Sequence, residues 1–236
     1  MRGASQLLRQ IRAILRPTLP GGMKRIYADF FKYHEDRKVC MLHRDDLYTS
    51  GPPHTHVSDK MLNIVVKHAG PRILDVGCGH GINCSELVKR GFQCVGIEIN
   101  EEYAQEAQKH IEAYPMRAEQ MDFPDKSFDT VVMMEVLEHI QDPYAALAEV
   151  VRVARKNLIL SVPNLAPLEV CVEYNVIMHH FFEVTHLNFF TKPMLERFLK
   201  NFFPHVEVGE FAQFFNISGR KLHYHLYAIG SFEPIK

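Results

Sequence analysis

The stretch Arg72-Ile73-Leu74-Asp75-Val76-Gly77-Cys78-Gly79-His80-Gly81 constrains this chain more than any other. A short apolar run ends in three glycines, and Ile82 to Arg90 then reads as a helix closed by Gly91. Strand, tight turn and helix start together make a ligand-binding corner. Glycine lets backbone approach a ligand with no Cβ in the way, and a helix N-terminus offers unpaired N–H groups. The spacing is Gly77-x-Gly79-x-Gly81, which differs from the G-x-G-x-x-G of a dinucleotide site.

Two further signals follow in order. Gln93 to Asn100 is an apolar run ending near Glu98, an acid placed to accept both hydroxyls of a ribose in a parallel α/β unit. Phe128-Asp129-Thr130-Val131-Val132-Met133-Met134-Glu135-Val136-Leu137-Glu138-His139 is a buried strand running into a charged turn. Together the three motifs resemble the class I S-adenosylmethionine (SAM)-dependent methyltransferases over roughly residues 60–230. The resemblance implies a SAM site built from Asp75, Gly77, Gly79, Gly81 and Met134. It places Glu98 on the ribose, and Ile99, Glu119 and Gln120 beside the adenine. Relatives often carry Asp just before Ala118, where this chain has Arg117, so the adenine amine is left to Glu119 or to backbone.

The chain of 236 residues is long enough for one large domain, or one domain and an appendage. It is 47% hydrophobic, ample for a core, and its formal net charge of −1 gives no global attraction to nucleic acid. The five cysteines form no CxxC pair, which predicts reduced thiols in a cytoplasmic setting. No run has the length of a membrane-spanning helix.

Residues 1–28 hold six basic residues and no acid, with Leu7, Leu8, Ile11, Ile14 and Leu15 at helical spacing. This basic amphipathic helix has three readings: peripheral membrane contact through residues 1–16, an organelle presequence at 1–28, or packing on its own domain. Residues 29–60 form a lid-like segment in which Tyr33, His34, His43, His54 and His56 are pocket candidates. The methyltransferase domain occupies 61–236. A helix from Ser58 to His68 leads into strands at 72–76, 94–99, 116–119, 128–134 and 157–162. Helices are expected at 82–90, 101–112 and from Pro143 to about Ala154. After an insertion at 164–190 come a helix at 191–201 and alternating runs at 205–211 and 221–229. The expected fold is α/β: a Rossmann-like, seven-stranded, mostly parallel sheet with helices on both faces and an antiparallel C-terminal edge.

A second constellation follows strand four. Glu135-x-x-Glu138-His139 sits where strand ends carry chemistry, so two carboxylates and an imidazole can act as acid/base groups or hold a divalent ion. The sequence around it resembles the ubiquinone-biosynthesis O-methyltransferases, whose E-x-x-E-H motif is associated with an ion of the Mg²⁺ type. The resemblance to small-RNA 2′-O-methyltransferases implies that a later histidine completes the set, here His186. The metal candidates are therefore Glu135, Glu138, His139 and His186, and the catalytic candidates His139, His186 and Glu135. The competing reading has the acids cap the next helix and the histidine orient a loop. His179, His180 and Glu183 crowd the same insertion as His186.

These features favour methyl transfer from SAM to a small-molecule acceptor, with oxygen as the receiving atom. Methylation of an RNA terminus is the alternative carried by the Glu-Glu-His-His pattern, but no RNA-binding domain accompanies it. A SAM-binding protein without turnover is the third. The chain lacks the Asn/Asp-Pro-Pro-Tyr/Phe motif of many N-methyltransferases, since strand four ends in Met134-Glu135.

Overall fold

The computed structural model describes residues 57–173, 183, 185–217 and 220–235. The readings made on residues 1–28, on the lid candidates Tyr33, His34, His43, His54 and His56, and on His179 and His180 lie outside the described residues.

The described chain opens with α1 (Asp59–His68), whose first turn is capped by Ser58 Oγ accepting from the Met61 N–H. Met61, Leu62 and Val65 form its buried stripe. Then come β1 (Arg72–Val76), α2 (Ile82–Lys89), β2 (Gln93–Glu98), α3 (Glu101–Ala107), β3 (Glu112–Pro115) and β4 (Phe128–Met134). A 3₁₀ turn at Leu137–His139 precedes α4 (Pro143–Val153) and β5 (Ala154–Pro163). Next are α5 (Leu168–Glu173), α6 (Lys192–Leu199), β6 (His205–Ile217) and β7 (Arg220–Ser231). The chain divides into two compact units, residues 1–47 with 168–184, and residues 48–167 with 185–236. Of the first unit, only α5 and Glu183 are described.

The sheet of the second unit has the order β3-β2-β1-β4-β5-β7-β6. The pairs from β3 to β5 are parallel, whereas β7 runs antiparallel to both β5 and β6. This is the expected seven-stranded, mostly parallel sheet. β1, β2 and β4 are apolar on both faces, so each must be covered twice. On one face Leu147 and Val150 of α4 and Leu195 and Leu199 of α6 pack with Leu74, Val131, Leu158 and Phe203. On the other, Met61, Leu62 and Val65 of α1 and Leu87 of α2 pack with Ile73, Val132 and Ile159. Each such side chain contributes about 1.5–3 kcal/mol by leaving water. Strand order reverses between β1 and β4, the place where open α/β sheets bind ligands outside the strand C-termini.

Two expectations are corrected here. The helix expected at 101–112 ends at Ala107, and the third strand is 112–115 rather than 116–119. β3 lies at the sheet edge with only Ala113 buried, so it carries no hydrophobic pattern to read. Residues 116–120 are instead a loop, closed by a bridge between Arg117 and Gln120. The second correction concerns the thiols. Cys84 on α2 and Cys94 on β2 are joined as a disulfide across ten residues, their Cα atoms 5.6 Å apart. Helix-to-strand packing makes that pair, and no local spacing announces it. Among the described residues no helix is long and apolar enough to cross a membrane.

A buried polar network ties the base of the sheet together. Thr130 Oγ1 donates to Asn157 Oδ1 (2.6 Å) and accepts from the Gly70 N–H (3.0 Å), while Asn157 Nδ2 donates to the His68 carbonyl (3.0 Å). Thr130→Val keeps the shape but strands the Gly70 donor in the core. It should lower the urea midpoint by the equivalent of about 1–3 kcal/mol. Because the network lies at the opposite end of the strands from the glycine corner, affinity for S-adenosylhomocysteine (SAH) should not change. Calorimetry beside denaturation checks both halves.

Candidate functional site

The glycine corner is shaped by backbone that other residues resist. Gly77, Gly79 and Gly81 all have positive φ, at 70°, 53° and 79°. The Gly77 and Cys78 N–H groups donate to the Ile97 carbonyl at 2.8 and 3.0 Å, folding the turn back over β2. A Cβ on Gly77 would lie 2.5 Å from Val136 Cγ2, so that glycine is needed for close packing. A Cβ on Gly79 would meet nothing within 4 Å, so the middle of the turn faces open space. Gly81 is the N-cap of α2, whose first N–H groups open on the same corner.

Glu98, at the end of β2, is almost fully buried. Its Oε2 accepts from the Gly79 N–H and its Oε1 from the Asn100 N–H, each at 3.0 Å. The expected ribose acid thus also braces the glycine turn. Asp75 lies deeper, 1% exposed, and its Oδ2 accepts no hydrogen bond from the described residues. Burial first, and the Glu98 charge second, push its carboxyl up to about 7. Past β2, Ile99 exposes apolar surface. The Met116 N–H donates to the Glu98 carbonyl (3.0 Å), hanging the 116–120 loop beside it. On that loop Gln120 is exposed, and Arg117 pairs with Glu119 at 3.1 Å, so the Arg117 departure occupies the one acid expected near the adenine. An open glycine turn, a buried acid at the next strand end and an exposed apolar residue beyond it fit SAM.

The second cluster starts where β4 ends. Met134 is buried, and Glu135 turns the chain with φ 56°, a conformation that costs a non-glycine residue of order 1–3 kcal/mol. Its N–H donates to the Ser161 carbonyl at 3.0 Å, and its Oε2 stands 3.0 Å from Nδ1 of His225 on β7. Glu138 follows, 1% exposed, and neither of its carboxylate oxygens accepts a hydrogen bond from the described residues. Burial, then the nearby Glu135 charge, hold its carboxyl well above the usual range.

His139 Nδ1 lies 3.1 Å from the Thr185 carbonyl. A carbonyl only accepts, so Nδ1 carries the proton and Nε2 is left as the basic nitrogen, 3.9 Å from Glu138 Oε1. The segment that brings His186 is fastened to this turn. The Leu187 and Asn188 N–H groups both donate to the Glu138 carbonyl (2.7 and 3.0 Å), and Asn188 Nδ2 donates to the carbonyls of Leu137 and Ile140. The His139 and His186 rings meet edge to face with centroids 4.8 Å apart. Glu138, His139 and His186 each place one ligand atom within 4.8 Å of the others. Glu135, expected as a fourth member, is outside this group and faces His225. A buried carboxylate with two imidazoles fits a divalent ion, and the hydrogen bond from His139 Nδ1 to a carbonyl is the outer-shell contact that metal-binding histidines usually make.

Sequence reasoning missed His225 and its neighbours. Phe211 of β6 stacks on the His225 ring at 5.1 Å, His223 Nδ1 lies 3.5 Å from Glu210, and buried Asn164 donates to the His223 carbonyl at 3.2 Å. The signal was available: His223 and His225 alternate along β7, which puts both on one face near the C-terminal end of β5.

Comparison with known proteins agrees with this architecture. Residues 74–162 match the family described as methyltransferase domain. A ubiquinone biosynthesis O-methyltransferase of Hahella chejuensis is 36% identical over 94 residues, covering 36% of this chain and 40% of the relative. The chain spans about half or less of the length of the curated relatives it matches. A SAM-dependent methyltransferase of Thermotoga maritima superposes with a TM-score of 0.58 at 18% identity, covering 89% of this chain and 97% of the other. A magnesium protoporphyrin IX methyltransferase of Synechocystis PCC 6803, solved with bound SAH, gives a TM-score of 0.55 at 18% identity, covering 86% and 97%. The fold is that of the SAM-dependent methyltransferases.

The Asp75 carboxyl makes stability depend on pH in a definite direction. Its value rises on folding from 3.8 to about 7, so the folded state binds the proton more tightly than the unfolded chain. The protein therefore loses stability as pH rises from about 4 to about 7, by at most about 4 kcal/mol from this group, and no further above. Asp75→Asn should flatten that stretch of the curve and be the more stable form at pH 8. Urea midpoints across pH 4–8 test this, and parallel curves would place the dependence elsewhere.

Proposed function

We propose that this chain, built around the methyltransferase domain of residues 74–162, transfers a methyl group from SAM to an oxygen of a small-molecule acceptor. The observation that carries the reading is one sheet edge bearing both the glycine corner with Glu98 and the cluster of Glu138, His139 and His186. The glycine turn would hold the amino-acid end of SAM, Glu98 its ribose, and Ile99 with the 116–120 loop its adenine. Bound there, SAM supplies a methyl carbon already electrophilic through its sulfonium.

What remains for the protein is to align the acceptor oxygen in line with that carbon and to receive its proton. His139 is oriented for the second task. With Nδ1 tied to the Thr185 carbonyl, its Nε2 presents a lone pair toward Glu138 and His186. The same three side chains would hold a divalent cation, whose contribution would be a lower pKa for an acceptor hydroxyl. Glu138 favours such an ion, because a buried carboxylate with no donor among the described residues needs a positive partner or a proton. Glu135 and His225 would line the acceptor side, next to the aromatic face of Phe211. The matched relatives are named for ubiquinone biosynthesis, which makes a phenolic hydroxyl the first acceptor to try.

Two measurements test this. Glu98→Ala should weaken SAH binding by roughly 2–4 kcal/mol, as two charge-assisted contacts and a braced turn are lost. A screen of hydroxylated aromatic acceptors with labelled SAM, with and without EDTA, should give turnover that falls at least about tenfold on chelation. Glu138→Gln and His186→Ala should lose Mn²⁺ binding by calorimetry. Turnover that survives both chelation and Glu138→Gln would leave proton transfer to the imidazoles alone.

A further inference from the structure

The cofactor reading leaves unexplained how an irregular stretch of eleven residues, 116–126, could present an adenine-binding surface. Met121 is buried and Met116, Ala118 and Phe123 pack against the core, but apolar contact alone does not fix the path of an irregular backbone, whose polar groups must also be held. The structure holds them from α4. Glu149 and Arg152 lie three residues apart on its polar side, while Leu147, Val150 and Val153 face the core. Glu149 Oε2 accepts from the Met121 N–H (2.7 Å), and Arg152 Nη2 donates to the Met121 carbonyl (2.6 Å). Both backbone groups of one loop residue are thereby taken.

The same guanidinium donates to the Phe123 carbonyl and to Asp125 Oδ1 (2.9 Å), and its Nε and Nη2 both donate to Glu149 (2.8 Å each). Farther on, the Lys126 N–H donates to the Arg152 carbonyl (2.8 Å). The opposite end of the loop is fixed by the Met116 N–H on the Glu98 carbonyl. Between these anchors the chain has room for one tight turn, 117–120, which carries Glu119 and Gln120.

We propose that Arg152, seated on Glu149, is a positioning residue for the cofactor: it sets the 116–121 turn against the end of β2 and so builds the adenine side of the site. The inference rests on the SAM reading above. It needs the planar fork of an arginine, since five donors diverge to Met121, Phe123, Asp125 and Glu149, and a lysine head cannot serve those directions at once. Arg152 touches neither SAM nor the acceptor. Its effect should fall on affinity and leave the chemical step alone.

SAH is the probe, measured by calorimetry on the full chain. Arg152→Ala should weaken SAH at least about tenfold, and Arg152→Lys should fall between it and the parent. In turnover, KM for SAM should rise by a similar factor while kcat at saturating SAM stays within about twofold. Two controls separate positioning from stability. Arg155→Ala removes an exposed ion pair to Asp129 at the foot of β5, and Thr130→Val removes a core hydrogen bond. Both should bind SAH as the parent does, even where Thr130→Val is the less stable protein. SAH binding within twofold of the parent in folded Arg152→Ala overturns the proposal. Should that variant not fold, parent-like binding by Arg152→Lys overturns it equally. An equal loss in Thr130→Val and Arg152→Ala would reduce Arg152 to a stability residue. Failure of the parent itself to bind SAH would sink the cofactor reading, and this inference with it, whatever the variants do.

Discussion

Two carboxylates are buried side by side at the C-terminal ends of β1 and β2, and the cofactor half of the molecule is arranged around that fact. Asp75 and Glu98 are each almost closed to water, and burial together with the Glu98 charge raises the cost of ionising Asp75. Such a pair is tolerated only where donors converge on it. Glu98 takes the Gly79 and Asn100 N–H groups, which requires the glycine turn to fold inward and Asn100 to begin α3. Asn100 then uses its own side chain to cap that helix at the Glu102 and Tyr103 N–H groups. The turn, the helix start and Glu98 are one hydrogen-bonded object. A ligand offering hydroxyl or ammonium donors would complete it near Asp75, whose Oδ2 takes no donor from the described residues.

How much of this was legible in the sequence depended on whether a feature is local. The glycine triplet, the acid closing β2 and the buried strands are written in consecutive residues, so the sheet and the glycine corner are legible from the sequence alone. The antiparallel edge was equally plain, since β6 and β7 alternate over most of their length. β3 was misplaced because an edge strand with one buried alanine has no periodicity to find. The Cys84–Cys94 pair was missed because helix packing, and not spacing, brings the two sulfurs together. His225 and Arg152 escaped for a related reason. Each acts across more than twenty-five residues of sequence, through a register or a helix face that only the assembled sheet supplies.

The two halves of the candidate site are joined mechanically. β4 leads directly from the sheet into the turn of Glu135 to His139, and α4 starts at Asp142, whose side chain caps it on the Tyr144 and Ala145 N–H groups. That helix therefore begins just after the cluster of Glu138, His139 and His186 and ends where Arg152 holds the backbone of Met121, Phe123 and Lys126. An eleven-residue helix is about 16 Å long, so α4 runs the depth of the sheet, from the turn after β4 to the level where β4 begins. Its apolar face is sealed against the sheet by Leu147, Val150 and Val153, so neither end can shift alone. Geometry set by core packing is thus imposed on the cluster after β4 and on the 121–126 stretch at once.

The acceptor-side cluster poses a sharper question of cost. Glu138 is placed beside two imidazoles with no donor among the described residues to satisfy its carboxylate, an arrangement that opposes folding unless something positive or a proton accompanies it. The fold does not relax it. The Glu138 carbonyl accepts two backbone N–H groups from the segment carrying His186, and Asn188 locks the same segment onto the carbonyls on either side of the turn. Those four bonds fix the side chain's surroundings without touching its oxygens. Strain of this kind persists where surrounding structure over-determines it, and Glu135, three residues earlier in a left-handed conformation, repeats the pattern. A purely structural turn would gain by replacing Glu138 with an apolar residue of similar size. The expense makes sense if the carboxylate is held ready for a partner that arrives from solution, because a site organised in advance spends little of its binding energy on ordering.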